Sequence, residues 1–145
     1  MKFVFKLQAV LNLKKQIEDN VKNELGKAAQ ELRRQIKILE DIEIERDEYI
    51  RDIKSQFTSG TSVGKLKNYN IYVSLLKDKM IYQKNNIKNA ECSVDKYREQ
   101  LIIAVQERKM MEKLREKKHE EYLKEQQKDE QKLIDEIASF NHKRN

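Results

Sequence analysis

The chain has 145 residues, of which 39% are Asp, Glu, Lys or Arg and 38% are apolar, with three Gly, no Pro and no Trp. That balance leaves a compact two-layer domain short of core, and so few breakers predict few, long elements. The net charge of +6, from 31 basic against 25 acidic residues, is interspersed with both signs along every segment, the pattern of solvated helix faces rather than of a nucleic-acid footprint gathered on one side.

A first helix is expected over residues 4–57. Its apolar stripe reads Leu7, Val10, Ile17, Val21, Leu25, Ala28, Leu32, Ile36, Leu39, Ile42, Tyr49, Ile53 and Phe57, with Lys14 and Arg46 in the two long gaps. Several steps are four residues where a strict heptad takes three, so the mean spacing drifts towards that of a straight helix. Gly26 costs about 1 kcal/mol relative to Ala in a helix interior, and reads as a small residue tolerated where another helix or chain comes close.

Residues 58–64, Thr58-Ser59-Gly60-Thr61-Ser62-Val63-Gly64, hold two Gly and four hydroxyl residues. They read as a helix-to-helix connection, short enough to make its neighbours antiparallel. A second helix follows over residues 65–140. From Leu66 to Met111, steps of three and four give Leu66, Tyr69, Val73, Leu76, Met80, Gln83, Ile87, Ala90, Val94, Tyr97, Leu101, Ala104, Arg108 and Met111, a column that only Gln83 and Arg108 interrupt. A register held that long, on so narrow a seam, is coiled-coil geometry.

The expected fold is therefore all-α: one domain over residues 1–145, a long two-helix antiparallel coiled-coil hairpin. Facing residues should have numbers that sum to about 122, and the paired part should run for roughly 80 Å at 1.5 Å per residue. This register leaves everything after about residue 119 beyond the start of the first helix, a C-terminal helical overhang. Composition agrees, because Glu112 to Lys132 contains only Leu114, Tyr122 and Leu123 as large apolar residues. Leu133, Ile134, Ile137 and Phe140 then form a small apolar patch, which either docks onto a partner or is a weak self-association site.

The residues offer little chemistry. Gly60 to Leu66 departs from a phosphate loop in its glycine spacing and in the Leu66 that follows Lys65. His119 and His142 are far apart without Cys or carboxylates at ligand spacing, and carboxylates on open helix faces have nothing to separate their pKa values. No catalytic, cofactor-binding or metal-ligating residue is expected, and the chain does not read as an enzyme. The single Cys92 fits a reducing compartment and should face outward. No apolar run approaches the roughly 20 residues that span a bilayer, and the opening is too short for a signal peptide, so a cytoplasmic, soluble protein is expected. Phe3, Phe5, Leu7, Val10 and Leu11 supply more apolar surface than the opposing charged segment can cover, which points to packing on a partner or insertion into a pore. Tyr72 lies one position off the seam near Tyr49, gathering aromatic surface by the loop. Tyr49 and Tyr69 themselves read equally as seam residues or as interface anchors.

The opening Phe3-Val4-Phe5-Lys6-Leu7-Gln8-Ala9-Val10-Leu11 resembles the start of the flagellar export family FliJ. Glu107-Arg108-Lys109-Met110-Met111-Glu112-Lys113-Leu114-Arg115-Glu116-Lys117 with Glu120-Glu121-Tyr122 resembles its charged second half, and Glu130-Gln131-Lys132-Leu133-Ile134-Asp135-Glu136 its ending. The resemblance covers nearly the whole chain. It implies a non-enzymatic component of the flagellar type III export apparatus, similar to the central stalk of rotary ATPases. Its paired terminal end would enter the pore of the hexameric export ATPase FliI and promote ring assembly. The resemblance further implies binding to the export gate FlhA, handling of export chaperones, and peripheral association with the inner face of the cell membrane when docked. It places an export-gate contact at Ile42, Tyr49, Tyr72 and Leu76, with Lys79 and Gln83 departing from the pattern, and an ATPase-pore contact at Phe3, Phe5, Leu7, Val10 and Leu11. The alternatives are a stalk of an injection-type secretion system, or a basic coiled-coil module that binds nucleic acid or a membrane surface.

Overall fold

The structure, a computed structural model, describes residues 2–144. Two helices account for nearly all of them: α1, Gln8–Thr58, and α2, Val63–Arg144, with no strand among the described residues. α1 begins four residues later than Val4. Phe3-Val4-Phe5 are aromatic and β-branched, residues that lose side-chain freedom against a helical turn. A turn precedes the helix instead, with the Gln8 amide donating to the Phe5 carbonyl at 3.0 Å, and Phe5 is buried.

The connection is shorter than the composition of 58–64 indicates, because its hydroxyls serve as caps. Thr58 Oγ1 donates to the carbonyls of Lys54 and Ser55 at 2.9 and 3.0 Å, and Ser59 Oγ to that of Ser55 at 3.1 Å. These bonds occupy carbonyls that a helix end leaves without partners. Gly60 turns the chain with φ 89°, a left-handed conformation that costs a residue with a Cβ. Ser62 then caps α2, its Oγ accepting from the Lys65 amide at 3.3 Å as an N-cap hydroxyl does. Val63 and Gly64 consequently belong to the helix.

The chain divides into two compact units, Val21–Gln100 and Met1–Asn20 with Leu101–Asn145. In the first, the loop unit, α1 and α2 pack antiparallel along a seam in which Leu76, Met80, Gln83, Ala90 and Val94 are buried. Tyr69, Val73, Ile87 and Tyr97 are half-buried beside them. In the second, the terminal unit, Phe5, Leu11, Glu18 and Ala104 are buried and Leu101, Arg108 and Met111 half-buried. Every buried residue of α2 lies on the column expected of it, while Leu66 at its start is exposed.

For α1 the expected stripe needs correction. Leu7, Val10, Ile36 and Phe57 are exposed. The covered column runs Leu11, Lys14, Glu18, Val21, Leu25, Ala28, Leu32, Gln35, Leu39, Ile42, Arg46, Tyr49, Ile53, all buried or half-buried. Its steps alternate strictly between three and four, so the heptad does not drift. A reading that follows apolar residues leaves the column where a polar residue occupies it, landing on Ile17 for Glu18 and on Ile36 for Gln35.

Those polar residues are met from the other helix. In the loop unit, Gln83 Nε2 donates to Gln35 Oε1 at 2.6 Å and to its carbonyl at 2.8 Å, while Gln83 Oε1 accepts from Asn86 at 3.2 Å. Arg46 reaches Met80 Sδ. In the terminal unit Arg108 binds Glu18 with one nitrogen and Glu112 with another, at 2.9 Å for the latter, and Lys14 pairs with Glu107 at 2.9 Å. The two polar interruptions of the α2 column, Gln83 and Arg108, are thus the partners of two polar interruptions in α1. No buried side-chain polar atom among the described residues lacks a hydrogen bond. Polar layers of this kind lower stability relative to apolar ones and in return specify register.

The register follows the expected sum of 122 closely in the terminal unit, where Phe3 meets His119 and Gln8 meets Arg115. In the loop unit Tyr69 stacks on Tyr49, one turn from Ile53, its expected partner. Beyond Tyr122 every described residue of α2 is exposed, the solvated overhang. Gly26 is not a close-approach site within this chain: nothing stands within 4 Å of where its Cβ would be.

Candidate interaction surfaces

In the terminal unit the opening residues wrap onto α2. The Phe3 ring meets His119 edge-on at 4.9 Å and lies 5.6 Å from the Tyr122 ring, with the Arg115 guanidinium 5.8 Å from its centroid, a cation–π arrangement. Lys2 to Leu7 and the α2 residues Leu114, Lys118, Glu121 and Tyr122 line an open groove. The residues expected to enter an ATPase pore fall into two groups. Phe5 is buried and Phe3 half-covered where they line the groove, Leu11 is buried in the seam, and Leu7 and Val10 are exposed. Val4 and Leu13 are exposed beside them. The heptad phase of α1, anchored on Leu11, places Leu13 off the seam, as did the apolar stripe.

In the loop unit three tyrosines cluster. The rings of Tyr49 and Tyr69 stack at 5.7 Å, and Tyr72 lies tilted at 4.4 Å from Tyr49. The Tyr72 hydroxyl donates to the Glu45 carboxylate, which favours the neutral phenol and raises its pKa above the ordinary value. Of the residues expected to touch an export gate, Ile42, Tyr49 and Tyr72 are half-buried and present edges, while Leu76 is fully buried in the seam. Gln83 belongs to the seam as well. Exposed apolar side chains on the same unit include Ile71, Leu75 and Tyr82 on α2 and Ile44 on α1. None was singled out from the sequence, because a seam search discards residues between its steps.

Surface electrostatics are local. Arg34 donates to both Glu31 oxygens at 2.7 and 2.9 Å and Gln35 adds a bond at 2.7 Å. Together they hold the Glu31 carboxyl down at about 2. Arg108 is pushed upward, first by its bond to Glu18 and then by that to Glu112. Among the described residues no group of three or more His, Cys, Asp or Glu is placed to hold a metal ion, and no helix is long and apolar enough to cross a membrane. Cys92 is exposed.

The geometry is that of helix faces carrying exposed apolar and charged side chains. Comparison with known proteins adds an identity to it. No curated protein matches the chain. A solved structure from Chlamydia trachomatis, CT670, described as a YscO homologue, is similar over 98% of this chain and 96% of that one, at 23% identity and a TM-score of 0.47. The model of the family described as flagellar FliJ protein matches residues 1–145. With the match running over the entire length, the chain belongs to the flagellar FliJ protein family.

Proposed function

We propose that this chain is a non-enzymatic, cytoplasmic component of the flagellar type III protein export apparatus. It acts as a central-stalk-like partner that promotes ring assembly of the hexameric export ATPase FliI and couples it to the gate FlhA and to export chaperones. The observation that carries this reading is the family match over residues 1–145. The surfaces described above give it chemistry. Leu7 and Val10, with Val4 beside them, are apolar, exposed and adjacent to a groove rimmed by Lys2, Lys6, Lys118 and Lys124. A ring of subunits presenting apolar and acidic side chains would find complementary contacts there. Phe5 and Leu11 support this surface from behind.

The gate contact, in the same reading, uses the edges of Tyr49 and Tyr72 with Ile42. Leu76 holds α2 in place beneath them. Aromatic residues at such a patch are favoured anchors, because they bury much area for little lost side-chain freedom. Contact with the gate would hold the chain at the inner face of the membrane without any segment entering it.

The test is the rate and assembled size of the cognate export ATPase with and without this protein, repeated with Leu7→Asp/Val10→Asp. The expected result is stimulated ring formation that the double variant loses while its helicity is unchanged. An ATPase indifferent to the unaltered protein would remove the stalk role. Binding to nucleic acid that falls steeply with salt would then favour a basic coiled-coil module instead.

A further inference from the structure

The last two turns and more of α2 carry an apolar face that nothing among the described residues covers. Leu133, Ile134, Ile137 and Phe140 stand at i, i+1, i+4 and i+7, on one side of a helix, and are between 52 and 64% exposed. Phe3 meets α2 well short of them, at His119 and Tyr122, and every described residue of α2 after Tyr122 is exposed. A solvated helix has no internal use for four large apolar side chains within eight residues.

We propose that this face is a self-complementary interface on which the same segment of a second copy of the chain docks antiparallel. The charges select that occupant and that orientation. The patch is preceded by Asp129 and Glu130 and followed by His142, Lys143 and Arg144. When two copies are laid antiparallel about a two-fold axis between residues 136 and 137, Leu133 faces the second copy's Phe140, and Ile134 and Ile137 of each copy lie on the same face between these two end contacts. Glu130 then faces Lys143 and Asp129 faces Arg144, each contact occurring twice as an isologous interface requires. A parallel pairing sets Glu130 against Glu130 and Lys143 against Lys143, which costs rather than gains free energy. The cations of the last turn also lie where a helix C-terminus favours positive charge, so they are well held for the pairing.

Four apolar residues a side cover less than the roughly 800 Å² per partner of a standard interface. The association is therefore weak and concentration-dependent, and gains most when several copies are held near one another.

Sedimentation velocity on the full chain over a rising concentration series, from low micromolar towards millimolar, tests this. The expected result is a shift from the mass of one chain to that of two. Ile137→Asp abolishes the shift without changing helicity or Tm, because nothing among the described residues packs on that face. Glu130→Lys and Lys143→Glu each weaken the dimer, on the order of threefold or more as two symmetric rim pairs are reversed, and the two together restore it. A single-chain mass throughout the series would overturn the proposal, as would a dimer that survives Ile137→Asp, the behaviour of hairpins exchanging helices. Failure of the paired charge exchange to restore association would exclude the antiparallel arrangement.

Discussion

Gly26 stands in the middle of α1 with open space where a Cβ would be. A helical glycine in that position gains nothing in packing for the backbone freedom it loses on folding. Gly26→Ala is expected to raise stability by up to about 1 kcal/mol, read as a higher Tm; a lower Tm would mean that the side chain meets something there. Tyr72 makes a second prediction, concerning pH. Its phenol is held neutral by the bond to Glu45 and its pKa is raised. What the pair contributes to stability is therefore fully present below the ordinary phenol value of about 10 and is lost as the pH rises through the raised value. In an alkaline absorbance titration Tyr72 should ionise late, and Glu45→Gln should bring it back towards the ordinary range.

At the scale of the helices, stability and register are carried by different residues. Leu76 is fully buried in the seam, so Leu76→Ala is expected to cost roughly 2–5 kcal/mol. Ile71→Ala, on the exposed side of the same helix, should stay within about 0.5 kcal/mol. Chemical denaturation of the two variants distinguishes them. Glu18 and Arg108 form a polar layer in the seam of the terminal unit. Glu18→Leu alone strands part of the guanidinium, leaving it Glu112, and is expected to lower Tm. Glu18→Leu with Arg108→Leu replaces a desolvated ion pair by an apolar layer and is expected to melt above the single variant and at or above the unaltered chain. Loss of stability in the double variant would show that the layer is itself a net stabilising contact. The α2 column was legible from the sequence because its two polar interruptions are few and isolated among apolar neighbours. The α1 column was not, because Glu18 and Gln35 on it each stand beside an apolar residue, Ile17 or Ile36, that misleads the count.

For the whole molecule, both helices run uninterrupted through the boundary between the two contact units. We propose on that ground that residues 1–145 unfold as one domain. Thermal unfolding followed by far-UV helicity and by the near-UV signal of the Tyr49, Tyr69 and Tyr72 cluster should give coincident transitions. Separate midpoints would divide the chain into independently stable parts. The apolar groups left exposed after folding, at Val4, Leu7 and Val10, at Ile71, Leu75 and Tyr82, and at Leu133 to Phe140, are where partners are to be sought.

The sequence by itself determined the two helices, the turn chemistry between them, the seam of α2, the solvated overhang and the family. Each rests on something local: helix propensity, scarcity of breakers, and an apolar period that repeats along a single element. Only the tertiary structure decided which side of α1 is covered, that Phe5, Leu11 and Leu76 lie beneath the surfaces they were expected to form, and that Gly26 faces open space. A polar side chain is buried only if another residue satisfies it, and for Glu18 and Gln35 that residue, Arg108 or Gln83, lies far away in sequence. Such pairing belongs to two elements at once, so no pattern along either one alone announces it.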